Sequence, residues 1–224
     1  MYKNVYRVVK SDYFKNEAGI IALDYYDKDS MGNDLFSRKQ VWFYLYGDSN
    51  AKQEFCMRVK HLFKSRFEGD KLNWDCLTLV PTHTKGEVNP HMREVARDDS
   101  SGFDVKYNPH LGRTEAVKEN HEITSDREKA LNLEGSLNVI GDVEGKNIIL
   151  IDNVSNTGIT FLHAKELLEK HGAENVACVC LGLDRKKRRR GLDVENIYEG
   201  LDYSDLTQKI VTEKEQSALV ANGK

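Results

Sequence analysis

Seven polar or small residues capable of holding an anion and a sugar diol fall within nine positions of this chain: Asp152, Asn153, Ser155, Asn156, Thr157, Gly158 and Thr160. Before them, Ile148, Ile149, Leu150 and Ile151 form an unbroken apolar run, which predicts a central strand of a parallel sheet covered on both faces. After them, FLHAKELLEKH has helical periodicity, with Phe161, Leu162, Ala164, Leu167 and Leu168 able to share a face. The turn therefore joins the end of a buried strand to the start of a helix, where unpaired N–H groups and the helix dipole favour an anion. Gly158 lets the backbone approach such an anion closely, and Thr157 and Thr160 offer hydroxyls. Asp152 and Asn153 are placed to accept hydrogen bonds from sugar hydroxyls or to help hold a hydrated Mg²⁺. Phosphate, diol and metal together describe a phosphorylated ribose. Asp, Asn, Ser and Gly also favour turns for purely local reasons, but the order of residue types and the strand-to-helix context favour a ligand.

Residues 148–160 resemble the phosphoribosyl pyrophosphate (PRPP) motif of the type I phosphoribosyltransferases: four apolar residues, two acidic residues, a short variable stretch and a Thr-Gly-x-Thr turn. The resemblance implies that Ser155, Asn156, Thr157, Gly158, Ile159 and Thr160 bind the 5-phosphate. It also implies that Asp152 and Asn153 are catalytic, with Mg²⁺ held by Asp152 indirectly, through water or PRPP. One position departs from the pattern. The second acidic residue is Asn153, so one negative charge near the developing ribosyl cation is missing. Two readings follow. In one the protein transfers ribose 5-phosphate from PRPP to an unidentified nitrogenous acceptor and releases pyrophosphate; in the other it is a non-catalytic regulator that binds PRPP or a nucleotide.

The same resemblance gives roles to two further segments. The loop after the apolar run CLTLV carries Thr82, His83, Thr84 and Lys85, hydroxyls and cations suited to pyrophosphate, although a solvated turn would read similarly. Residues 111–133 are polar and weakly periodic and occupy the place of a flexible lid that excludes water, with Arg113, Lys118 and Arg127 as candidates to meet the leaving group. Arg127, Asn132, Gly145 and Lys146 are also similar in type and order to the amidophosphoribosyltransferase-like proteins related to the competence protein ComF.

The 224 residues, 39% hydrophobic and 31% charged, suit a globular protein with a sizeable core, and no stretch reaches the length of a membrane span. Residues 1–10 lack an apolar h-region, so the expected location is the cytoplasm. A net charge of −3 argues against wholesale nucleic-acid binding. Six consecutive cations nevertheless begin at Arg185 and end at Arg190, a run that could meet nucleic acid, an anionic partner or only solvent, and with the N-terminal aromatic residues it gives a third reading, a nucleic-acid-processing factor. Cys56, Cys76, Cys178 and Cys180 show no C-x-x-C spacing, and Cys178 and Cys180, within an apolar run, read as small buried side chains.

These segments need elements to position them. Residues 1–70 read as a β-rich segment with a helix. Its strands are expected over NVYRVVKSDYF, GIIALDYYD and KQVWFYLYG, with a hairpin loop at residues 29–34. Tyr25, Tyr26, Trp42, Phe43, Tyr44 and Tyr46 would pack one face of that hairpin on the core or, alternatively, stack on bases. A helix capped by Ser49 or Asn50, with Phe55, Val59, Leu62 and Phe63 as its apolar stripe, should end near Gly69. From residue 71 to 200, strands and helices alternate: CLTLV, a short Asn89-capped helix over PHMREVARD, FDVKY, the motif strand and its helix with Gly172 at the C-cap, and residues 176–183. The expected fold is α/β, an open, mostly parallel twisted sheet with helices on both faces. Residues 201–224 form a polar tail with a short helix at 203–211, and a homodimer is common among such folds.

Overall fold

The structure is a computed structural model that describes residues 4–9, 14, 17–27, 34–67, 72–103, 105–119, 122–185 and 192–195. In chain order its elements are β1 (Val5–Val9), β2 (Ala18–Tyr26), α1 (Leu35–Tyr46), α2 (Ser49–Arg66), β3 (Cys76–Leu79), α3 (Pro90–Phe103), β4 (Lys106–Tyr107), β5 (Leu111–Arg113), α4 (Asp126–Leu133), β6 (Leu137–Val139), β7 (Asn147–Ser155), α5 (Ile159–Lys170), β8 (Asn175–Asp184) and β9 (Leu192–Glu195). Among the described residues the main sheet runs β4-β3-β7-β8-β2-β1-β9, and β5 and β6 form a separate antiparallel pair. The strands from β4 to β2 are mutually parallel, while β1 is antiparallel to both of its neighbours. The chain thus forms the expected α/β fold, a mostly parallel sheet.

Burial on both faces explains the apolar runs. Ile149 and Ile151 of β7 and Val179 and Leu181 of β8 enter one core with Phe36, Phe43, Phe55 and Leu62 from α1 and α2. Ile148 and Leu150, alternating with them, enter a second core with Phe161, Leu162 and Leu168 of α5 and Leu133 of α4. The four stripe residues expected on α2 are all fully buried. Asp48, one residue earlier than expected, caps that helix by accepting from the Ala51 N–H at 2.8 Å.

The structure corrects several local expectations. The run KQVWFYLYG lies in helix α1, so no strand hairpin spans residues 29–34, of which 29–33 lie outside the described residues. Asp34 starts this helix by accepting from the Phe36 N–H at 3.2 Å, and Gly47 ends it in the left-handed conformation at φ 66°. Phe36, Gln40 and Phe43, at helical spacing, then bury one face. Helix α3 runs to Phe103 and reduces the strand expected over FDVKY to Lys106–Tyr107. Within residues 111–133, read as weakly periodic, stand β5 and α4, and β9 was not anticipated from its sequence. The helix proposed for residues 203–211 falls outside the described residues, as does the basic run beyond Arg185. Arg185 itself is exposed and lies over the Tyr25 ring, 5.4 Å from its centroid. Among the described residues no helix is long and apolar enough to cross a membrane.

Strands β1 and β2, from the N-terminal segment, continue the same sheet as the rest: β2 pairs in parallel with β8 from Ile20 opposite Cys178 to Tyr26 opposite Asp184. Helix α1 is locked to α2 through Phe55, whose ring meets Phe36 at 5.7 Å and Phe43 at 5.3 Å between centroids. Phe55→Ala should therefore lower unfolding free energy by about 3–5 kcal/mol in guanidinium titrations. Met57→Ala, on the exposed side of the same helix, should change it by no more than about 0.5 kcal/mol.

Candidate functional site

Strand order reverses between β3 and β7: β4 lies on the far side of β3, and β8 follows β7 in the other direction. In an open α/β sheet the crevice at such a point, beyond the carboxyl ends of the strands, is where ligands bind. Two segments meet there. The Val80 N–H donates to the Ile151 carbonyl at 2.9 Å, which sets Pro81 and the following loop beside Asp152.

Asp152 is only partly accessible and lines a small pocket with Tyr44, Pro81, Thr82 and Asn89. Burial pushes its carboxyl up to about 7 from an ordinary 3.8; the Asn153 N–H bonded to Oδ1 at 2.7 Å and then the Arg113 charge act in the opposite direction. The Tyr44 phenol is raised by burial and next by the Asp152 charge. Asn153 faces another neighbour. The Gln40 side chain of α1, 1% exposed, donates through Nε2 to the Asn153 carbonyl at 2.8 Å and to its Oδ1 at 3.1 Å.

The remaining motif residues form the expected turn. Ser155 and Gly158 are buried, while Asn156, Thr157 and Thr160 keep partial solvent access, and Ile159 enters the core. Gly158 sits at φ 79° and caps α5 without a side-chain bond, so the first amides of that helix are not covered by a side chain of the cap residue. A Cβ at Gly158 would stand 2.5 Å from Val9 Cγ2, so glycine is required both by conformation and by space. The Asn156 carbonyl accepts from Arg7 Nη1 at 2.8 Å. The Ser155 hydroxyl and the Asn156 Oδ1 are buried and find no hydrogen-bond partner among the described residues.

The loop after β3 is braced from across the crevice. Thr82 bonds within the loop, its hydroxyl donating to the Glu87 carbonyl at 3.2 Å and accepting from the Thr84 N–H at 3.3 Å. Arg113, 5% exposed, donates to the Thr82 carbonyl at 2.6 Å and to the Ser136 hydroxyl at 2.7 Å. Burial lowers its pKa, and the Asp152 charge partly offsets this. His83 and Lys85 are exposed, with His83 3.3 Å from Glu119. The Val117 N–H donates to the His83 carbonyl at 3.0 Å, which draws residues 113–119 over this loop. Lys118 is held there by its backbone alone: Asn132 accepts from its N–H at 3.1 Å and donates to its carbonyl at 2.9 Å, and the ammonium stays in solvent.

The structure thus sets Asp152 against Pro81 and Thr82 in one pocket, braces the Thr82–Lys85 loop with Arg113 and with the backbone next to Lys118, and continues from Asp152 through Asn153 into the 155–160 turn. Arg127 stands elsewhere, lining a cleft with Phe14, His163, Glu166 and Lys170 between α4 and α5. Sequence reasoning missed Arg7, Gln40 and Tyr44. A lone arginine inside VYRVV was a signal, and Gln40 would have stood out between Phe36 and Phe43 at helical spacing. For a divalent cation the described residues offer no cluster of three acidic, His or Cys side chains.

A family model described as "Phosphoribosyl transferase domain" matches residues 49–214. A Streptococcus pneumoniae serotype 4 protein provisionally named ribose-phosphate pyrophosphokinase 2 is 40% identical over 75 residues, 34% of this chain and 21% of that protein. A Wolinella succinogenes ribose-phosphate pyrophosphokinase is 35% identical over 98 residues, 43% of this chain and 30% of that protein. The chain therefore spans less than a third of the length of these relatives. Among solved structures, the glutamine PRPP amidotransferase from B. subtilis aligns with 62% of this chain and 30% of its own at 19% identity and a TM-score of 0.40. A Staphylococcus aureus hypoxanthine phosphoribosyltransferase aligns with 67% of this chain and 70% of its own at 12% identity and a TM-score of 0.40.

The buried carboxyl has a stability consequence. Because the folded protein holds the Asp152 proton more tightly than the unfolded chain, folding takes up a proton between pH 3.8 and about 7. Stability from this group is therefore highest at low pH and is lost as pH rises through that window. Asp152→Asn should raise unfolding free energy at pH 8, by roughly 4 kcal/mol at most, and leave it unchanged near pH 3. Gly158→Ala should cost about 2 kcal/mol or more, and adding Val9→Ala should recover part of that loss by removing the overlap.

Proposed function

We propose a function from one premise, that the chain belongs to the phosphoribosyl transferase domain family: it binds PRPP and transfers ribose 5-phosphate to a nitrogen nucleophile, with release of pyrophosphate. The observation that carries this reading is the juxtaposition at the β3 and β7 carboxyl ends of an open phosphate turn, a single buried carboxylate and a loop braced by Arg113. The relatives are named for ribose phosphate and pyrophosphate, the two groups that the turn and the loop suit.

In this reading Thr157, Thr160 and the backbone of the 156–160 turn anchor the 5-phosphate, and Asp152 accepts from the ribose hydroxyls. The nucleophile's nitrogen lone pair forms the new bond to C1 as the C1–O bond to pyrophosphate breaks, and that electron pair leaves with pyrophosphate. The nitrogen then gives up its extra proton. Positive charge that develops on the ring is stabilised by ionised Asp152, and the departing charge meets the Thr82–Lys85 loop and, beyond it, Lys118. Arg113 contributes by fixing the Thr82 carbonyl and thereby the loop's shape. A Mg²⁺ accompanying the pyrophosphate would neutralise part of its charge.

Asn153 supports a second reading, a PRPP-binding protein without turnover, because Gln40 ties the position that would carry the second charge. Incubation with PRPP, Mg²⁺ and a panel of bases or ammonia, followed by pyrophosphate assay, separates the two. The transferase should release pyrophosphate at a rate that climbs as pH passes about 7, where Asp152 ionises, and Asp152→Asn should abolish release while leaving a ribose 5-phosphate complex. Tight PRPP binding with no release under any acceptor supports the second reading, and absence of both PRPP and ribose 5-phosphate binding sinks both. Asn153→Asp should shift the rate profile to higher pH, since a like charge beside Asp152 raises its pKa further.

A further inference from the structure

Residues 1–48 lie outside the segment matched to the family, yet β1 reaches into the phosphate turn at two places. Arg7 is 2% exposed within an otherwise apolar strand. Its Nη1 donates to the Asn156 carbonyl at 2.8 Å and its Nη2 to the Asp184 carbonyl at 3.0 Å, so one guanidinium ties the turn after β7 to the last residue of β8. Two residues on, and therefore on the same face of the strand, Val9 packs against Gly158.

We propose that Arg7 is a positioning residue for the ribose-phosphate site, holding the Asn156 carbonyl inward so that the Thr157 N–H faces the anion. The inference rests on the PRPP reading given above. Its physical basis is the peptide plane. In a trans peptide the carbonyl and the following N–H point in opposite directions, and the chain contains no cis peptide among its described residues. Capture of the Asn156 oxygen by Arg7 therefore turns the Thr157 N–H away from the interior. Without that bond the Asn156–Thr157 peptide is free to flip, which would present a carbonyl to the phosphate in place of a donor. The fork of the guanidinium matters because its two donors reach two different strands' ends, which a single ammonium cannot do with the same geometry.

The test compares ribose 5-phosphate and inorganic pyrophosphate binding by calorimetry in wild type, Arg7→Met and Arg7→Lys. Arg7→Met, which keeps the apolar stem, should weaken ribose 5-phosphate on the order of thirtyfold and leave pyrophosphate affinity within about twofold, because the carbonyls Arg7 holds, those of Asn156 and Asp184, belong to the turn after β7 and to β8 rather than to the loop after β3. Arg7→Lys should fall between the two. If Arg7→Met weakens both ligands equally, or neither, Arg7 is only a core residue and the proposal fails. Where Arg7→Met does not fold, Arg7→Lys decides: ribose 5-phosphate affinity equal to wild type overturns the proposal, and a selective loss supports it. Wild-type protein that binds neither PRPP nor ribose 5-phosphate overturns the PRPP reading itself, a result distinct from an unaffected variant.

Discussion

The parallel pairing of β3 with β7 is the constraint on which the site depends. Cys76 lies opposite Ile148 and Leu79 opposite Ile151, and the ladder ends with the Val80 N–H on the Ile151 carbonyl. Fixed register sets Val80 level with Asp152, so β3 gives way to its loop there while β7 continues against β8 as far as Ser155. Pro81 and Asp152, 71 positions apart in sequence, thereby become walls of one pocket. A slip by one residue would exchange the faces of β7, driving Ile149 and Ile151 toward α5 and breaking both cores at once. The hydrophobic alternation that stabilises the sheet is thus also what sets the geometry of the polar groups at its end.

Those polar groups are held mainly by residues from other elements. Arg113 of β5 fixes the Thr82 carbonyl, Gln40 of α1 fixes Asn153, Arg7 of β1 fixes the Asn156 carbonyl, and Asn132 of α4 fixes the backbone of Lys118. Three of these bonds satisfy groups on irregular segments, which have no ladder of their own to do so, and the Gln40 bond holds β7 where it runs on past the end of β3. The result is a set of loops whose backbones are ordered before any ligand arrives, while Thr157, Thr160, His83, Lys85 and Lys118 keep side chains in contact with solvent. Ordering in advance reduces the entropy that binding would otherwise have to overcome.

The parts of this arrangement that a sequence can disclose are those encoded locally. Strands β3, β7 and β8 read as apolar runs because both their faces are covered, and the α2 stripe of Phe55, Val59, Leu62 and Phe63 repeats at helical spacing. The turn at 155–160 was legible from residue order alone. Helix α1 was not, because VWFYLY carries strand-forming side chains, and the residue that completes its helical stripe, Phe36, lies before the aromatic window. Tertiary packing and the caps at Asp34 and Gly47 override that local preference. Strand β9 and the roles of Arg7 and Gln40 depend on contacts across more than a hundred residues, 149 for Arg7 with Asn156 and 113 for Gln40 with Asn153. No local pattern records such pairings. Arg127 illustrates the converse: its residue type and position in a polar segment fitted a leaving-group role, but α4 turns it toward α5.

The departure at Asn153 has a physical basis in the same packing. Asp152 is already hard to ionise where it stands, raised to about 7 by burial despite the Asn153 amide and the Arg113 charge. A carboxylate at the adjacent position would add repulsion between like charges in a poorly solvated crevice, and Gln40 could then bond it only through a neutral amide. An asparagine accepts the same Gln40 bond with no charge to desolvate, so residue 153 serves to join α1 to the motif strand. The helix that makes this possible also brings Tyr44 to the pocket beside Asp152. The neutral residue 153 and the position of α1 therefore go together: at this point the wall beside Asp152 is a packed helix bonded to an uncharged amide.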